Sequence, residues 1–164
     1  MMHMVIYAFV EASTRDEALA AGKSAFDRLV GVALHTDAVL DDSVTFDETD
    51  VTGAGHARWG ERPAAAPSKS NAGEELLEAG WEATIEAFEP NLAAVREGLN
   101  ELDDEAIMRD EDLVRHACHN LGAYRGPSVV LYDEHGQGIR DRERLNRILG
   151  GAESCWIVPA DVHY

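Results

Sequence analysis

The sequence predicts an α+β fold: a ferredoxin-like antiparallel sheet with helices packed on one face, plus a C-terminal strand-helix-strand extension. Three observations predict it. An apolar run rich in Val, Ile, Tyr and Phe near the start reads as a strand, and a capped helical segment follows it at once. The later periodic segments then complete the order β-α-β-β-α-(α)-β-α-β, whose first half matches a split βαβ arrangement. At 164 residues and 45 % apolar content, the chain has the length of a single domain (1–164) and enough apolar surface for a core.

Residues 3–10 carry apolar side chains on both faces, which predicts a central strand. Thr14 and Glu17 form a capping box for a helix reaching about Val30, with Leu19, Gly22, Phe26, Leu29 and Val30 inward and Gly31 as its stop. Within 37–60, Val39, Val44 and Phe46 suggest one strand and residues 54–59 another, joined across the polar segment 47–53 as a hairpin. Segment 61–72 contains Pro63, Pro67, Ser68 and Ser70 and reads as a flexible surface loop.

The strongest helical pattern spans 74–102, where Leu77, Trp81, Ile85, Phe88, Leu92, Val95, Leu99 and Leu102 recur at steps of three and four. Pro90 removes one helical donor, so a kink or break is expected near Glu89. The stripe lies across a sheet or, by its heptad-like spacing, seams a dimer. A helical turn follows over 103–108. Residues 110–121 fit a helix through Leu113, Val114, Ala117 and Leu121, although alternation through Val114, His116 and Cys118 also suits a strand. The remainder reads as a strand at 128–132, a glycine turn at 133–138, and a helix from Asp141 with Leu145, Ile148 and Leu149 inward. Gly150 and Gly151 end that helix, and a last strand at 154–158 stops at Pro159.

Charge is the most conspicuous compositional feature. There are 31 acidic residues against 14 basic ones, for a formal charge of −17, and only Lys23 and Lys69 are lysines. A surface of this kind repels itself at low ionic strength, and salt relieves the repulsion. It resembles the surfaces of proteins from salt-accumulating haloarchaea, a resemblance of habitat and not of family. With no basic stripe, direct nucleic-acid binding is not expected. No apolar run reaches membrane-spanning length, and Glu11 closes the first apolar run too early for a signal peptide, so a cytoplasmic protein is expected. Cys118 and Cys155 form no C-x-x-C pair and read as two buried thiols.

Three polar groups carry candidate chemistry. His116 and His119, with Cys118 between them and Asp110, Glu111 and Asp112 upstream, lie three apart on one side of a helix. Imidazoles so placed suit a divalent metal, with His56, Glu134, His135, Asp161 or His163 as third ligand. An H-x-x-H spacing is common by chance, and the plain reading is a partly buried histidine and its surface neighbour. Asp161 and His163, two apart on extended chain, point the same way, and with His3 of the first strand beside them would support general acid–base chemistry. Arg125 beside Gly126, and Arg140 after Gly136 and Gly138, suggest anion-binding turns. Arg140, Arg142, Arg144 and Arg147 form the one basic island, and Arg125, Arg140 and Arg144 are the candidates for binding a cofactor or anion. Turn formation alone also explains the glycines. Trp59 could wall a pocket, whereas Trp81 belongs to the helical stripe and reads as core.

No nucleophile elbow, P-loop or dinucleotide fingerprint is present. The preferred reading is therefore a non-catalytic structural or protein-interaction module of a halophilic organism, homo-oligomeric through the long stripe. The alternative is a small metal- or anion-binding enzyme using His116 and His119 or the arginines of 140–147. A second alternative is an acidic inhibitor or DNA mimic.

Overall fold

The computed structural model describes residues 2–32, 37–47, 56–111, 114–151 and 153–164. Strand β1 (His3–Glu11) leads through helix α1 (Arg15–Asp27) to β2 (Asp42–Thr45), the helical turn α2 (His56–Trp59) and the two-residue strand β3 (Ala66–Pro67). The long helix α3 (Asn71–Glu101) follows, then α4 (Asp104–Met108), α5 (Val114–Gly122), β4 (Leu131–Asp133), α6 (Arg142–Gly151) and β5 (Cys155–His163).

The first strand and helix form as the residues dictate. The Thr14 hydroxyl accepts the Glu17 N–H at 3.2 Å, and the Glu17 carboxylate accepts the Thr14 N–H at 3.2 Å, closing the capping box. Gly22 lets α1 lie directly on the sheet, since a Cβ there would stand 2.7 Å from a Val158 methyl. Gly31, at φ +77°, takes the left-handed conformation open to glycine and turns the chain after the helix.

The sheet is mixed, in the order β2-β5-β1-β4, with β3 pairing β5 beside β2. This corrects the ferredoxin-like expectation. β1 and β5 pair antiparallel from His3↔His163 to Glu11↔Cys155, and β4 runs parallel to β1. The expected hairpin fails because residues 56–59 form a helical turn, closed by the Gly60 N–H on the His56 carbonyl at 2.9 Å. An apolar–polar pattern this short fits one helical turn as well as a strand. The rest of that proposed strand and residues 48–53 of its connection lie outside the described residues. Among the described residues no second hairpin strand is present, and the C-terminal segment is not an extension but fills the sheet centre, between β2 and β1.

Helices cover both faces, not one. On one side α1 packs through Ala18, Leu19, Ala25 and Phe26 against Ile6, Ala8, Val10, Val158 and Ala160. On the other, Leu76 of α3 and Leu145 of α6 pack against Tyr7, Phe9, Leu131 and Ile157. Each of the larger fully buried side chains, such as Ile6, Phe9, Phe26, Leu131, Leu145, Ile157 and Val158, contributes roughly 1.5–3 kcal/mol of apolar transfer. Segment 61–72 holds β3, and Ala64, Ala65 and Ala66 in it are buried.

Pro159 does not end the last strand; β5 continues to His163. The register explains why. The Tyr7 N–H donates to Val130, away from β5, so Tyr7↔Pro159 is a pair whose backbone groups point outward. On that outer side the first residue of β3 faces Ile157 and the last residue of β2 faces Ala160, so no strand there asks for the missing donor.

Helix α3 is continuous through Pro90. The carbonyl left without its donor is that of Glu86, and both residues lie exposed, where water replaces the lost bond. Its buried positions are Gly73, Leu76, Gly80, Thr84 and Gly98, one step removed from the expected stripe. Leu77, Trp81, Phe88, Leu92 and Val95 are half-buried, and Ile85 and Leu99 are exposed. The C-terminal half of α3 is covered by α5, with Gly98 beneath Val114 and the Asn120 side-chain amide donating to Asn91 at 3.1 Å. Much of the stripe is thus covered within the chain. The helical reading of 110–121 holds for the described part, while Asp112 and Leu113 lie outside it. The strand at 128–132 is shorter than expected, because the Val129 N–H turns back to Gly126 at 3.0 Å. Cys155 is buried, but Cys118 is exposed, which corrects the expectation of two buried thiols.

Candidate metal centre

The pairing of the first and last strands builds the site. In its register His3 stands directly across from His163, and Val5 across from Asp161. Because side chains alternate along a strand, His3, Asp161 and His163 emerge on the same face. Reciprocal hydrogen bonds between Met2 and Tyr164, each 3.1 Å, extend the ladder past the pair and hold its register.

His3 Nδ1 lies 3.2 Å from Asp161 Oδ1, and the His3 and His163 rings meet edge to face at 3.9 Å between centroids, inclined by 71°. One donor atom from each of the three residues falls within 4.8 Å of the others. Among the described residues this is the group of three or more such side chains that converges in this way. Asp161 is fully buried, and the Arg58 guanidinium approaches its second oxygen at 4.0 Å. A buried carboxylate is retained only with such compensation. The His163 Nε2 is buried and has no hydrogen-bond partner among the described residues.

His3 also lines a cavity of about 410 Å³. Met4, Val5, Ala83, Ala87 and Val130 supply apolar wall, while Tyr7, Trp59, Arg62 and Glu86 supply polar groups. Arg62 donates to the Tyr7 hydroxyl at 3.2 Å and to the Trp59 carbonyl at 3.4 Å, and its guanidinium lies 5.5 Å from the Phe46 ring centroid. Trp59 thus walls a pocket, as its sequence context suggests.

The other sequence candidates lie elsewhere. His116 and His119 are exposed on α5, and among the described residues no third ligand converges with them; His116 Nε2 sits 3.2 Å from the Asn120 amide. His56 packs against Phe46, and His135 lies 3.5 Å from Glu134. Arg140 donates to the carbonyls of Asn120, Leu121 and Ala123, closing the C-terminal end of α5. Arg125 holds the carbonyls of Arg28 and Asp37, and Arg144 bonds Asp133 at 2.6 Å and the Gly138 carbonyl at 2.7 Å. These contacts give all three arginines work inside the fold. No motif surrounds Arg58 and Arg62, four apart around Trp59, so the sequence assigns neither of them to a site. Their spacing on either side of a candidate pocket tryptophan is the available signal.

No helix among the described residues is long and apolar enough to cross a membrane. The family model of a domain of unknown function (DUF7995) matches residues 2–164. No curated protein and no solved structure matches the chain.

Proposed function

The chain belongs to the DUF7995 family, and we propose that His3, Asp161 and His163 bind a divalent transition-metal ion beside the cavity that His3 lines. The observation that carries this reading is the convergence of two imidazoles and one carboxylate within 4.8 Å. A tetrahedral ion with bonds of about 2.0–2.1 Å sets its donors about 3.3 Å apart, so modest side-chain rotation closes the set. Two nitrogens and one oxygen suit zinc or iron better than calcium or magnesium, which take all-oxygen shells. Three protein ligands leave a coordination position free, the arrangement of catalytic rather than structural zinc sites. Arg58, at the second carboxylate oxygen, would then orient Asp161 from behind, as partners of metal ligands commonly do. The chemistry such an ion supplies is polarisation of a bound oxygen or activation of a water.

Calorimetric titration of EDTA-stripped protein with ZnCl2 tests the reading. The expected result is one ion per chain, with affinity reduced by at least about 100-fold in Asp161→Asn and in His163→Gln. Unchanged affinity in both variants, or no binding by the unaltered protein, overturns it. A second reading, a metal-free acid–base pair, draws on the 3.2 Å approach of His3 to Asp161. The same titration separates the two, because the acid–base pair needs no ion.

A further inference from the structure

We infer that the cavity beside His3 takes a small monocarboxylate with an apolar body, its carboxylate held by Arg62. That this molecule is the substrate of the metal centre rests on the reading above; its binding by Arg62 does not. Three observations lead there. Arg62 is partly buried in the cavity wall, and among the described residues no carboxylate lies within ion-pair distance of it. Its side-chain hydrogen bonds use one N–H on each terminal nitrogen, to the Tyr7 hydroxyl and the Trp59 carbonyl. A guanidinium has five donors, so donors remain for the fork geometry that matches a carboxylate. A cation partly withdrawn from water gains from an anionic partner, and an aromatic face such as that of Phe46 is only a weak substitute.

The rest of the cavity sets the class of molecule. Its other walls include Met4, Val5, Ala87 and Val130, which favour an apolar body, and its volume of about 410 Å³ suits a small organic acid. Among the described residues Arg62 is the one arginine or lysine lining it, and Glu86 on the same wall repels a second negative charge. That balance favours a monoanion over a phosphate dianion. Trp59 also lines the cavity, and its buried indole N–H has no acceptor among the described residues.

Benzoate is a suitable probe, with its uncharged amide benzamide and inorganic phosphate as comparators, titrated calorimetrically at constant ionic strength. The titration is run in EDTA, so that failure of the metal reading leaves this result intact. Benzoate is expected to bind the unaltered protein at least about tenfold more tightly than either comparator. Arg62→Leu should lose at least about tenfold in benzoate affinity, and Arg62→Lys should fall between, since lysine keeps the charge but not the fork. Thermal melts of both variants confirm that they are folded; should Arg62→Leu not fold, the Arg62→Lys loss and the benzamide comparison decide alone. Equal binding of benzoate and benzamide, tighter binding of phosphate, undiminished affinity in the folded variants, or no binding of benzoate overturns the inference.

Discussion

At the scale of single residues, environment separates chemically identical side chains. Cys155 is buried, and burial pushes its thiol up to about 11; the nearby Glu11 and Glu134 charges add to the rise and a Ser68 hydrogen bond opposes it. Cys118 stands exposed on α5. At pH of about 8 the thiolate is the reactive form, so iodoacetamide should modify Cys118 alone in the folded protein, and Cys155 only on unfolding or as pH rises toward 11. Mass spectrometry of the labelled peptides checks this, and equal labelling of both cysteines in the native state contradicts it. The same contrast holds for the histidines: His116 and His119 are exposed, whereas the His3 and His163 rings meet beside a buried carboxylate. Sequence spacing placed Asp161 and His163 on one side of a strand and named His3 as a companion. It could not show that the first and last strands pair, because a contact across nearly the whole chain leaves no local pattern.

Among the elements, those governed by local chemistry were legible. The capping box of α1, the span of α3 and the glycine turn before α6 follow from residues a few positions apart. Helix α2 rests on a pattern too short to tell a turn of helix from a strand, and the course of β5 through Pro159 depends on distant neighbours, the gap between β3 and β2. The docking of α3 can be tested at Gly73, where a Cβ would lie 1.9 Å from the Pro67 carbonyl oxygen. Backbone at that point cannot rotate aside. Alanine gains about 1 kcal/mol of helix propensity, but the clash costs more, and Gly73→Ala should lose about 2 kcal/mol net. Urea denaturation measures it; a variant as stable as the parent would mean that α3 is not packed so closely against β3.

For the molecule as a whole, the sheet order β2-β5-β1-β4 matters more than the fold label. It brings both ends of the described chain together and thereby makes the three-residue centre. The formal charge of −17 acts on the whole surface. Raising KCl from about 0.1 M to about 2 M shortens the screening length to a few ångströms and so relieves the self-repulsion of this surface. The melting temperature should then rise by about 5 °C or more. Calorimetric scans across that range check it, and a melting temperature that is flat or falls with KCl removes the salt-adaptation reading.

His3, Asp161 and His163 converge between the first and last strands, where we propose that they hold a metal ion. Anomalous X-ray scattering at the zinc edge from crystals grown with ZnCl2 tests it most directly. A single strong anomalous peak bonded to those three side chains is the predicted result. Zinc at His116 and His119 with no peak between β1 and β5, or no ordered zinc at all, would contradict it.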